Sequence, residues 1–159
     1  MKINTAYINC KQTNTPYGVL TNIGKTYSAE WDKQIPSAGW RIDKVYSSLK
    51  EKADENGGIA IVILDEIDTL VSKNGDEILY HLTGLNSDLD NSKISIIGIS
   101  NDAKFTSWLD PRVKSRLGEE SLTFSPYNAP QIEDILIQRA RTAFKAVSYT
   151  HLRAHETAC

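Results

Sequence analysis

The sequence predicts an α/β fold built around a parallel sheet, and three observations lead there. Residues 59–64 (Ile59-Ala60-Ile61-Val62-Ile63-Leu64) and 94–99 are apolar at every position or nearly so, the pattern of strands buried on both faces. Stretches with apolar residues three and four apart separate these runs. Glycine and proline clusters punctuate the joins, so strands alternate with helices along the chain. A length of 159 residues fits one domain.

Each element has its own justification. Residues 6–10 (Ala6-Tyr7-Ile8-Asn9-Cys10) are a short apolar run readable as a first strand. Thr15 followed by Pro16 is an N-cap with proline at the first helical position, which predicts a helix over 16–23. Residues 24–39 are mixed and broken by Pro36 and Gly39, hence a loop or short insertion. Ile42, Val45, Tyr46, Leu49 and Ala53 have helical spacing, and Asn56-Gly57-Gly58 stops that helix. After the strand at 59–64, residues 76–85 predict a second amphipathic helix with Ile78, Leu82 and Leu85 on one stripe. The polar stretch 85–92 turns the chain into the strand at 94–99. Leu122-Thr123-Phe124 reads as a short strand ended by Pro126. Residues 129–145 predict a final helix, with Glu133 and Asp134 early and Arg139, Arg141 and Lys145 late, as the helix dipole prefers.

Composition excludes several classes of function. The net charge is −2 and the pI about 5.9, so no global basic field draws the chain to nucleic acid; any DNA contact is local. No apolar run approaches the ~20 residues of a membrane span, and the start lacks the apolar core of a signal peptide, which makes the cytoplasm the expected location. Cys10 and Cys159 are too far apart in sequence for a metal motif or a disulfide framework. Residues 147–157 resemble a translated sequencing adapter. The tail 146–159 is therefore set aside as non-native, and with it any metal reading of His151 and His155.

Three patterns carry chemistry. Four apolar residues, Ile61 to Leu64, run into Asp65-Glu66. Parallel sheets bind ligands at the carboxyl ends of their strands. In P-loop ATPases an acid there holds Mg2+, while the next can activate the attacking water. By that likeness Asp65 is a candidate to hold Mg2+, directly or through water, and Glu66 a candidate base. The bland alternative is a strand that meets a solvated acidic turn. Asn101, just past the next strand, places an amide where it can orient that water; taken alone, an ordinary Asn-Asp turn after a strand is the commoner explanation. Residues 109–117 read as a short basic helix bearing Arg112 and Arg116. Either guanidinium can stabilise charge on a neighbour's γ-phosphate, or both form a solvated basic face.

Together, in this order, the three patterns resemble the Walker B, sensor 1 and arginine-finger boxes of AAA+ ATPases. Tyr7-Ile8-Asn9-Cys10-Lys11-Gln12-Thr13-Asn14-Thr15-Pro16-Tyr17, Pro36-Ser37-Ala38-Gly39-Trp40 and Asp110-Pro111-Arg112-Val113-Lys114-Ser115 narrow the resemblance. They are similar to the archaeal origin-binding initiators related to origin-recognition-complex subunit one and cell division control protein six. That resemblance implies a partial P-loop NTPase core over residues 1–127, lacking its first strand and phosphate loop, and the first helix of a lid over 128–145. It implies ATP and Mg2+ as cofactors, and origin duplex DNA, the replicative helicase and other initiator subunits in trans as partners. The expected function is ATP-dependent initiation of replication by the complete protein; this chain by itself is expected to be inactive. A DNA-touching insertion in that family would fall within 15–40, with Lys33, Pro36, Ser37 and Gly39 as candidate contacts. Another AAA+ ATPase, such as a clamp-loader relative, and a non-hydrolysing interaction module are the alternatives.

One decoy is rejected. Residues 18–26 approximate a phosphate loop, but five residues separate Gly18 from Gly24, and the stretch lies on a predicted helix. Without its first strand the sheet is also expected to leave unpaired edges and to be weakly stable alone.

Overall fold

The computed structural model describes residues 3–28, 35, 39–117 and 120–144. The chain divides into two compact units, Met1–Glu120 and Ser121–Cys159. The first unit runs β1 (Ile3–Asn9), α1 (Pro16–Tyr27), α2 (Ile42–Asn56), β2 (Gly58–Asp65), α3 (Ile67–Asn74), α4 (Glu77–Gly84), β3 (Ser92–Ile99) and α5 (Pro111–Leu117). The second contains α6 (Ala129–Ala143).

The described strands form a parallel sheet in the order β1-β2-β3. Its register sets Asn9 opposite Asp65 and Asp65 opposite Ile99. All three strands therefore end together at one rim, with Asp65 closing the central strand and Glu66 following it. The parallel crossovers are helical, as connections between parallel strands usually are.

Side chains alternate across each strand. One face carries Ala6, Ile8, Ala60, Val62, Leu64 and Ile94, all buried. They join one core with Leu20 and Ile23 of α1, Val45 and Leu49 of α2, Ile67 and Leu70 of α3, and Leu79 and Leu82 of α4. Each fully buried aliphatic side chain contributes roughly 1.5–3 kcal/mol of transfer free energy. The opposite face stays open: Ile59, Ile61 and Ile63 are half-buried, and Ile3, Tyr7, Ile97 and Ile99 are exposed. The double burial expected from the apolar runs is thus half realised, because the described residues lay no second layer over these rows.

Local signals acted as expected in most places. The Thr15 hydroxyl accepts the Gly18 amide and caps α1, with proline in its first turn. The helix runs four residues past the predicted end, to Tyr27. Gly57 stops α2 at φ 62°, a left-handed value that suits glycine. Residues 18–26 lie wholly within α1, and a Cβ at Gly18 would stand 2.8 Å from Thr13 Cγ2; this is a packed helix, not a phosphate loop.

Two expectations need correction. Residues 122–124 form no strand, and Leu122 and Phe124 are 80% and 85% exposed. A strand is defined by its ladder, and among the described residues none pairs with this segment. The second is α3, which the periodicity did not announce; its buried Ile67, Leu70 and Val71 follow directly on the two acids.

Candidate functional site

Asp65 is the last residue of β2 and Glu66 the cap of α3. The chain turns from strand to helix within that one residue. Glu66 takes up the turn at φ 53°, ψ 45°, the only described non-glycine residue with positive φ. Left-handed geometry costs an L-residue with a Cβ roughly 1–2 kcal/mol. Such strain persists where the surroundings fix it, most often at functional positions.

Both Asp65 carboxylate oxygens have protein donors. The Glu66 amide donates to Oδ1 at 3.0 Å, and the Tyr7 hydroxyl donates to Oδ2 at 2.5 Å. That hydrogen bond holds the Tyr7 phenol above its usual pKa, with desolvation and the Asp65 charge adding to it. The Asp65 carbonyl accepts the Cys10 amide at 2.8 Å, carrying the β1–β2 ladder one step past the strand end. Just beyond, the Asn9 side chain accepts the amides of Lys11 and Gln12 and turns the chain. The turn brings Lys11 Nζ to 3.7 Å from Glu66 Oε2, an exposed pair worth little in stability. The Cys10 thiol is buried, and burial together with the Asp65, Asp68 and Glu66 charges pushes its pKa to about 11.

Asn101 lies two residues past Ile99, the β3 partner of Asp65, and is exposed. It therefore stands at the same rim as the acids. Arg112 and Arg116 belong to a different cluster. They lie on α5, which packs on α4, and their guanidinium carbons sit 5.6 and 4.9 Å from the Tyr80 ring centre. Arg112 Nε also donates to Asp110 Oδ1 at 3.1 Å, and the Asp110 amide donates to Asp76 Oδ2 at 2.6 Å. The guanidinium beside it holds the Asp110 carboxyl below the usual carboxylate range. Among the described residues, no carboxylate stands within 4 Å of Arg116. No described hydrogen bond or ion pair joins either arginine to Asp65 or Glu66.

Of the candidate DNA contacts, Gly39 is exposed with φ 102°, while Lys33, Pro36 and Ser37 lie outside the described residues. Tyr7 is the site residue that sequence reasoning passed over; only the β1–β2 register brings its hydroxyl to the acid. Among the described residues no group of three His, Cys, Asp or Glu could hold a metal ion. Two adjoining carboxylates do suit Mg2+, which keeps several waters and takes one or two carboxylates plus phosphate oxygens.

No family model matches the chain. It is 54% identical over 145 residues to an ORC1-type DNA replication protein of Methanoregula boonei, covering 87% of this chain and 34% of that protein. It is 49% identical over 142 residues to one of Thermococcus onnurineus, covering 89% and 34%. The chain thus spans about a third of the length of the curated relatives it matches. Among solved structures it resembles the Aeropyrum pernix ORC1 protein, determined in complex with DNA, with TM-score 0.78 and 37% identity over 89% of this chain and 35% of that one. Cdc6p from Pyrobaculum aerophilum shares the fold, with TM-score 0.69 and 23% identity over 88% of this chain and 36% of that one. The fold is accordingly part of a AAA+ core.

Proposed function

We propose that this chain, a relative of the archaeal ORC1-type DNA replication proteins, comes from an ATP-dependent replication initiator and carries the hydrolysis half of its ATP site. The observation that carries this reading is the Asp65-Glu66 pair at the rim of the central strand, with Glu66 held left-handed, in a chain half-identical to those proteins. Residues 1–127 belong to the nucleotide-binding core on this reading, and 128–145 begin the lid.

A bound Mg2+ would supply positive charge against the negative charge that develops in phosphoryl transfer. Asp65 would hold it, directly or through its waters, and Glu66 accepts the proton of the attacking water. Asn101, at the same rim, orients that water. Arg116 is the better finger: Arg112 already spends its guanidinium on Asp110, whereas Arg116 rests on an aromatic face with no described carboxylate partner. Reaching a neighbouring subunit's nucleotide then costs Arg116 one cation–π contact, of about 0.5–1 kcal/mol at an exposed site.

Likeness to the ORC1 protein, which has been solved on DNA, supports DNA binding as part of this proposal. Origin recognition, contacts by Lys33, Pro36, Ser37 and Gly39, assembly with other initiator subunits and recruitment or loading of the replicative helicase belong to the same proposal.

The test uses the full-length protein. Glu66→Gln is expected to lower ATP hydrolysis about 100-fold or more while leaving equilibrium ATP binding intact, the signature of a lost general base. Hydrolysis unchanged by that substitution would remove Glu66 from the role. Duplex binding should weaken linearly in log Kd against log salt, with origin sequence preferred over random sequence. Equal binding to both would leave an ATPase without origin specificity.

A further inference from the structure

Tyr7 faces Ile63 in the β1–β2 register, one same-face step before Asp65. Its ring therefore stands on the same side of the sheet as the acid and diagonal to it, a span an aromatic side chain covers. The hydroxyl ends on Asp65 Oδ2, while the Glu66 amide occupies Oδ1. One donor comes from the neighbouring strand and the other from the start of α3. A single donor leaves a carboxylate free to swing about its Cβ–Cγ bond; donors on both oxygens fix its plane. The ring is 62% exposed, so packing gives little reason for a tyrosine here. The hydroxyl is the part with a partner.

We propose that Tyr7 is a positioning residue for Asp65, holding the carboxylate in the orientation that receives a hydrated divalent cation. This rests on the reading of Asp65 as the metal-side acid. Each carboxylate oxygen keeps a second lone pair, so the phenol and a cation's water shell share the group without either displacing the other. Partners behind a metal-binding carboxylate commonly govern affinity by 10–100-fold.

The experiment measures Mn2+ binding by electron paramagnetic resonance in the full-length protein with ADP present. The variants are Tyr7→Phe, which removes only the hydroxyl, and Asp65→Asn. ADP affinity in excess chelator is measured alongside. For Tyr7→Phe the expected result is an approximately tenfold weaker Mn2+ site with unchanged metal-free ADP affinity and unchanged melting temperature. Asp65→Asn is expected to remove the site. If Tyr7→Phe binds Mn2+ within twofold of the parent while Asp65→Asn does not bind it, the positioning role is overturned and the reading of Asp65 survives. If Asp65→Asn binds Mn2+ normally, both fall. If Tyr7→Phe weakens metal-free ADP binding as much as Mn2+ binding, Tyr7 is structural and the proposal is wrong.

Discussion

At the scale of single residues, Glu66 sets chemistry against conformation. Its left-handed backbone favours glycine or asparagine, and nothing in the stability of the turn asks for glutamate. Glu66→Asn is therefore expected to melt no lower than the parent, and Glu66→Val, β-branched at the same φ, to lose more than about 1 kcal/mol relative to Glu66→Asn. Thermal denaturation of the two variants checks this; equal melting would mean that the turn relaxes out of the left-handed region. The adjoining arginines make a second residue-level prediction. In a reconstituted full-length assembly, Arg116→Ala should lower hydrolysis at least 100-fold and Arg112→Ala much less, since removal of a finger costs orders of magnitude. The reverse order would transfer the role to Arg112. The rim positions of Asp65, Glu66 and Asn101 were legible in the sequence because each follows an apolar run that forms a strand, and Arg112 and Arg116 were legible as residues of a short basic helix. Tyr7 was not, because a hydroxyl reaching across a ladder depends on register, and register is a property of two segments at once.

At the scale of elements, Asp54 near the end of α2 accepts the amides of Asp90 and Asn91 at 3.2 and 2.9 Å, tying α2 to the turn that launches β3. Those amides lower its pKa, Asn91 first. A carboxylate whose folded pKa is depressed contributes stability above its unfolded pKa of about 3.9 and loses it as pH falls through the lower folded value. Asp54→Ala should thus lower the melting temperature at pH 7, with the difference from the parent shrinking below about pH 4. A difference independent of pH would assign the effect to packing instead. Helix α6 is closed by a capping box, in which Asn128 and Gln131 each accept the other's amide. The long elements were legible because period and punctuation agreed, as at Thr15-Pro16 and Gly57. Helix α3 begins directly after the strand, with Glu66 as a left-handed cap and no side-chain capping bond, so no helix-start signal separates it from β2. Residues 122–124 have strand composition but find no ladder among the described residues.

At the scale of the molecule, the described residues of the first unit cover one face of the sheet and leave the other open. Ile97 and Ile99 of β3 and Ile3 and Tyr7 of β1 lie exposed on that face. An apolar surface of this kind invites association. The isolated chain is expected to self-associate at micromolar concentration, and Ile97→Lys to suppress this without loss of helix content. Light scattering with circular dichroism measures both, and a monomeric parent chain would contradict the expectation. In the second unit, α6 exposes Ile132, Leu136 and Ile137.

The buried Cys10 thiol gives the molecule a clock. It lies one residue past β1, bonded through its amide to the Asp65 carbonyl, and its raised pKa keeps it protonated at neutral pH. Only the thiolate attacks an alkylating reagent. With Cys159 replaced by serine, labelling at Cys10 proceeds only when β1 lifts from β2. The alkylation rate then counts openings of the seam that carries the acids, and a ligand that settles there should slow it.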